Sequence, residues 1–225
     1  MDVAGIVLVG GKSTRMGVSK PLLPFGPELM ILRVLRLLSQ AASPMVVVAA
    51  ADQVLPSLPR SVQVVRDRRE GRGPLEGICA GLEAIEGRRE AAYIAGCDVP
   101  TLQAAFVRML AERLARHRIA VPVDGGHYHP LAAVYRVDVL PKVRALLAAD
   151  HLRPAYLFQQ VDTCCVPVDQ LRSVDPELCS LDNLNRPEDY FAALQRCGFE
   201  VDEGLRQAFA RGNGTPPGSS LESTL

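Results

Sequence analysis

Short apolar runs alternate along the chain with longer segments whose apolar residues recur at helical spacing. Ile6–Val9, Met45–Ala50, Val62–Val65 and Ala91–Gly96 are the runs of the first half, apolar or β-branched nearly throughout. Unbroken runs of this kind predict strands buried on both faces. Ile119–Val123 and Ala132–Tyr135 flank the turn Asp124-Gly125-Gly126, and Val161–Val168 is a later run. Between them, Leu29–Ala42 sets Leu32, Leu35 and Leu38 against Arg33, Arg36 and Gln40, an amphipathic helix that Ser43-Pro44 must end. Further helices are predicted over Pro74–Ile85, Leu102–Arg116, Asp138–Ala149 and Pro187–Arg196, with Thr101 and Asn185 as caps of the third and last. Strands alternating with helices give an α/β fold whose mostly parallel sheet is covered on both sides. In such folds ligands bind beyond the carboxyl ends of the strands.

At 225 residues the chain suits a single domain, expected over residues 1–198, with 199–225 as an extension. The last fifteen residues, 211–225, are rich in Gly, Pro and Ser and are expected to form a disordered tail. Basic and acidic residues balance at 25 each, and Trp is absent. Neither an electrostatic footprint for nucleic acid or membrane nor a stacking platform for single strands is present. No apolar run is long enough for a membrane helix and no leader pattern opens the chain, so a cytoplasmic location is expected. The six cysteines form no C-x-x-C pair, and reduced thiols without metal are expected.

Chemistry concentrates in three places. Gly5-Ile-Val-Leu-Val-Gly-Gly-Lys-Ser-Thr-Arg-Met-Gly-Val-Ser-Lys20 is a strand running into glycines and cations, with no acid. Backbone N–H groups in such a loop can cradle phosphate, although a plain turn with solvated cations has the same composition. The spacing is that of neither the P-loop nor the dinucleotide fingerprint. Asp98, in Cys97-Asp98-Val99-Pro100, follows another apolar strand. There a carboxylate can hold Mg²⁺ with phosphate oxygens and water, or simply cap a helix or turn. Arg66-Asp67-Arg-Arg-Glu-Gly-Arg-Gly73-Pro74-Leu75-Glu76-Gly77 reads as a mobile charged loop opening onto a helix N-terminus, where an anion can sit, or as a solvated surface loop.

Together with His129-Pro130-Leu131 and Asn183-Leu-Asn185-Arg-Pro187-Glu188-Asp189, these motifs stand in the order found in a known family. Over residues 4–195 the chain resembles the molybdenum cofactor guanylyltransferases. The resemblance implies a three-layer Rossmann-like nucleotidyltransferase fold and a Mg²⁺-dependent transfer of GMP from GTP to molybdopterin-bound molybdenum cofactor. It implies that Arg15, Lys20 and Asp98 are catalytic, with Asp98 the metal ligand. Leu8, Val9, Gly10, Gly11, Lys20, Asp67 and Asp98 would bind the nucleotide, and Asn183 and Asn185 would lie on the acceptor side. Partners implied are GTP and molybdopterin, together with proteins that deliver the cofactor or chaperone its recipient enzyme. Gly10-Gly11, where related cytidylyl enzymes tend to have Ala-Gly, leans toward guanine. Two departures stand out: Val9 for the family's usual Ala, and Ser19 for the usual Asp before the loop lysine. Transfer from CTP or onto a sugar phosphate, and a non-catalytic nucleotide-binding module, are the competing readings. His129 is a candidate base, but a phosphate nucleophile is already ionised at neutral pH, which favours a structural histidine.

Overall fold

The computed structural model describes residues 2–9, 19–67 and 71–210. Gly10, Gly11 and Arg15 lie outside them, as does the expected tail. The described residues form a central sheet in the order β10-β7-β9-β6-β1-β4-β5. Its strands are β1 (Ala4–Leu8), β4 (Met45–Ala49), β5 (Val62–Arg66), β6 (Ala91–Gly96), β7 (Ile119–Asp124), β9 (Ala132–Arg136) and β10 (Thr163–Pro167), while β8 (His127–Tyr128) pairs with β7. Strands β5, β4, β1 and β6 run parallel, as do β7 and β10. β9 is antiparallel to both β6 and β7, because the short connection through β8 reverses the chain where a helix would otherwise cross over.

Strand alternation divides the core in two. Ile6 and Leu8 of β1 face α2 (Pro74–Ile85), α4 (Leu140–Ala148) and α5 (Pro154–Phe158). Val7 and Val9 face α1 (Met30–Leu38) and α3 (Ala104–Leu114). Three layers result. Gly81 lets α2 approach β1 closely, since a Cβ there would lie 2.6 Å from Ile6. A third cluster gathers Leu23, Phe25 and Met30 with Leu184, Tyr190 and Leu194, and with Leu205 of α7 (Glu203–Ala210). It joins a small hairpin, β2 (Pro24–Phe25) and β3 (Glu28–Leu29), to α6 (Pro187–Arg196). Gly26, at φ 66°, leaves the space that Phe199 fills. No helix among the described residues is long and apolar enough to cross a membrane.

The two expected caps are not caps. α3 begins after Gln103, and the Thr101 hydroxyl instead donates to the Cys179 carbonyl at 2.9 Å. α6 begins after Arg186, and it is the Asp189 carboxylate that accepts from the Asn185 and Arg186 amides, at 3.2 and 3.0 Å. In both cases a tertiary contact claims the residue that local pattern assigned to the helix end. The helix expected over Leu29–Ala42 is also shorter, ending at Leu38.

Candidate active site

Register places four chain segments at one edge of the sheet. Leu8 lies beside both Val48 and Gly96, Ala49 beside Arg66, and Ala95 beside Ala132. The chain leaving β1 at Val9, β5 at Asp67 and β6 at Cys97, and that entering β9, therefore lie together beyond the carboxyl ends of the parallel strands. Val9 is anchored here: its amide donates to Val48 at 2.8 Å and its carbonyl accepts from Gln53 Nε2 at 3.0 Å. Gln53 carried no signal in the sequence, since its loop has no motif.

After β6, the Cys97 amide donates to the Leu8 carbonyl at 3.1 Å, which fixes the turn against β1. The Asp98 carboxylate folds back over Gly96, where a Cβ would lie 2.5 Å from Oδ1, so a side chain at that position would displace it. Lys20 Nζ donates to Asp98 Oδ2 at 2.7 Å and to Asn185 Oδ1 at 2.9 Å. The ion pair is mostly buried, with 14% of the lysine side chain and 17% of the aspartate exposed. Three residues separated by up to 165 positions thus converge on one point. Asn183 is exposed and donates to the Leu181 carbonyl at 3.4 Å, outside that cluster. The Cys97 thiol is pushed up to about 12 by burial and by Asp98, so it is an inert thiol rather than a nucleophile.

After β5, Asp67 is anchored through its amide to Ala49 at 2.8 Å. Its Oδ1 is buried and without a hydrogen-bond partner among the described residues. Burial raises the carboxyl's pKa, and Glu76 on the first turn of α2 raises it further. Gly77 keeps that turn open beside Leu8 and Asp67. Arg68 and Arg69 of this stretch lie outside the described residues, and its two described arginines are engaged with the protein itself. Arg66 donates to the Ala50 and Gln53 carbonyls at 2.9 and 2.8 Å, and Arg72 binds Glu76, Asp150 and the Leu147 carbonyl.

His129 enters from the β9 side. Its Nε2 is buried and lacks a partner among the described residues, and burial with His127 lowers its pKa. Both influences favour the neutral ring. A different hollow, about 450 Å³ and lined by Arg89, Arg108 and Ser39–Ser43, lies at the amino ends of the strands. Its arginines donate to the Ser43 and Gln40 carbonyls, as structural staples do.

The donor set suits Mg²⁺. Asp98 offers a hard carboxylate with Oδ1 not engaged by Lys20, and the described residues contain no group of three or more His, Cys, Asp or Glu able to cage another metal. One protein carboxylate, completed by phosphate oxygens and water, is how this ion is commonly held.

Comparisons with known proteins bear on the family and the fold. A family model described as a MobA-like NTP transferase domain matches residues 5–172. The chain is similar to the probable molybdenum cofactor guanylyltransferase of Mycobacterium tuberculosis, with 35% identity over 200 residues, covering 87% of this chain and 94% of that protein. The protein of the same description from Methanosarcina mazei is 34% identical over 198 residues, covering 83% and 87%. Among solved structures, molybdopterin-guanine dinucleotide biosynthesis protein A from Archaeoglobus fulgidus superposes with a TM-score of 0.72 at 22% identity, covering 87% of this chain and 99% of that one. The 2-C-methyl-D-erythritol 4-phosphate cytidylyltransferase of Thermus thermophilus gives 0.65 at 16% identity, covering 88% and 100%. At such identities the two structures speak for the fold alone.

Proposed function

The chain belongs to the family of MobA-like NTP transferase domains, and on that premise we propose that it transfers GMP from GTP to the terminal phosphate of molybdopterin carrying molybdenum. An oxygen of the acceptor phosphate forms a bond to the α-phosphorus. The bond from that phosphorus to the β-phosphate bridging oxygen breaks, and pyrophosphate leaves with the electron pair. The observation that carries this reading is the buried Lys20–Asp98 pair, joined by Asn185, beyond the ends of β1 and β6.

Both reactants are anions, so the barrier is largely electrostatic and positional. Lys20 supplies a cation whose direction Asp98 and Asn185 fix in advance. Held by Asp98, Mg²⁺ would screen the charge on the α-phosphate and on the departing pyrophosphate. Asp67 presents a buried carboxyl oxygen, without a partner among the described residues, beside Leu8 and Gly77, suited to the N–H edge of guanine. A base lacking those donors would leave that oxygen unpaired, which is the stronger source of discrimination. Asn185 would lie between the lysine and the acceptor. His129 would lend a ring nitrogen to the site's wall, with no proton to abstract from a phosphate that is already ionised.

Pyrophosphate release, measured with Mg²⁺ and GTP, CTP, ATP or UTP, each with and without molybdopterin, tests the reading. Release that requires both GTP and molybdopterin is the expected result. Preference for CTP would overturn the base assignment, and nucleotide binding without release under any acceptor would make the chain a binding module.

A further inference from the structure

We propose that Arg33 and Phe199 brace the Cys97–Pro100 turn and so keep the Asp98 carboxylate in place, making Arg33 a positioning residue for the transfer. This rests on the nucleotidyltransferase reading of the site. Arg33 lies on α1, away from the converging loops, and by pattern belongs to that helix's solvated face. The structure gives it another role. Its side chain is 15% exposed, and Nε donates to the Pro100 carbonyl at 2.7 Å, two residues beyond Asp98. The guanidinium stands over the rings of Phe25, at 4.9 Å, and Phe199, at 5.3 Å, and pairs with Glu28 at 3.4 Å. The two rings meet edge to face at 5.8 Å. A planar cation with each of its directions specified is a rigid support, and a charged donor makes a stronger bond to a carbonyl than a neutral one.

The turn is clamped from its other side by residues 175–184. The Leu184 amide donates to the Asp98 carbonyl at 2.9 Å, Thr101 Oγ1 to Cys179, and the Gln103 amide to Ser180 Oγ at 3.0 Å. Buried Asp175 holds that segment by accepting from the Cys179 and Ser180 amides at 3.0 and 2.8 Å. Without Arg33 the turn would keep its ties to β1 and to residues 175–184 but lose its support at the Pro100 carbonyl. Phe199 lies beyond residues 5–172, the part matched by the family model, so this chain supports its site partly from outside that region.

Arg33→Met keeps an unbranched apolar stem between the rings and removes the donor. It is expected to lower kcat for pyrophosphate release about tenfold while KM for GTP moves less than about threefold, because a displaced catalytic group costs rate more than binding. Arg33→Lys, whose ammonium can still reach the carbonyl, is expected to recover most of that loss. Phe199→Leu, which keeps the apolar contact but not the ring face, should lose about threefold in kcat. Hydrogen exchange reads the brace without turnover: in Arg33→Met, amides of residues 97–103 should exchange about fivefold faster or more, with β1 and β4 unchanged. An unaltered kcat in Arg33→Met, or unaltered protection of 97–103, would overturn the inference. If the wild-type protein releases no pyrophosphate at all, the reaction reading fails, and the exchange result alone decides the brace.

Discussion

Two turns at the same sheet edge each present an aspartate, and their surroundings are opposite. After β6, Asp98 is matched by a cation, Lys20, and its backbone is tied to β1 and to residues 175–184. After β5, Asp67 has a buried oxygen that nothing among the described residues satisfies, with Glu76 pressing its pKa upward. Leaving a buried acceptor unpaired costs on the order of 1–3 kcal/mol, a cost that an arriving donor would relieve. On the proposed reading, the first turn handles charge and the second receives neutral donors.

If that division holds, the largest loss follows from Asp98→Ala. Lys20 would keep Asn185 but lose its counter-ion, and the carboxylate suited to Mg²⁺ would be gone. Pyrophosphate release should fall about a thousandfold or more, with nucleotide selectivity among residual events unchanged. Lys20→Gln comes next. It preserves a donor to Asp98 but removes the positive charge, and kcat should drop about a hundredfold. A larger effect on GTP affinity than on kcat, measured by calorimetry alongside turnover, would show that Lys20 holds the ground state rather than the transition state.

Asp67→Asn probes the other turn, and it should alter choice rather than speed. Preference for GTP over ATP should fall about tenfold to a hundredfold in kcat/KM, with little change in the maximal rate. The same variant carries a pH signature. Because the folded state raises the Asp67 pKa, it binds more protons than the unfolded chain. The stability contributed by the protonated form is fully present below the ordinary value of 3.8 and is lost as pH rises through the raised folded value. Thermal melts should therefore show Asp67→Asn gaining on the wild-type protein as pH rises above 3.8 toward neutrality. A difference that stays flat with pH would mean that the carboxylate is not strained in the folded protein.

The two turns were also unequally legible in the sequence. Asp98 could be found because an apolar strand ended there and Val99-Pro100 stopped the chain, and Lys20 because a Gly-rich loop led to it. Their meeting with Asn185 was not written in any spacing, since it depends on how the third core folds α6 back onto the hairpin. Around Asp67 the charge pattern left two readings open, an anion-binding loop or a solvated surface loop. Arg66 and Arg72 close carbonyls and ion pairs, because a side chain long enough to reach solvent also reaches the backbone. Thr101 and Asn185 failed as caps because distant partners, the Cys179 carbonyl and the Lys20 ammonium, claim their side chains. The layers of the fold were readable throughout, because strands buried on both faces are nearly all apolar. The reversal at β9 was not, because an antiparallel strand with both faces covered has the same composition as a parallel one.

The smallest effect is expected one residue before Lys20. Ser19 is exposed, and its side chain makes no capping bond to the turn that follows. An aspartate there would lie in water, where its attraction for the lysine is screened and worth about 1 kcal/mol or less. Ser19→Asp should consequently change kcat/KM for GTP by no more than about fivefold in either direction, and the change should shrink as salt is raised. A gain of a hundredfold that survives high salt would mean that an acid at this position binds a group directly. The charge-handling turn would then extend from Asp98 into the loop that ends at Lys20, and the serine would be a real loss to this chain's catalysis rather than a neutral exchange.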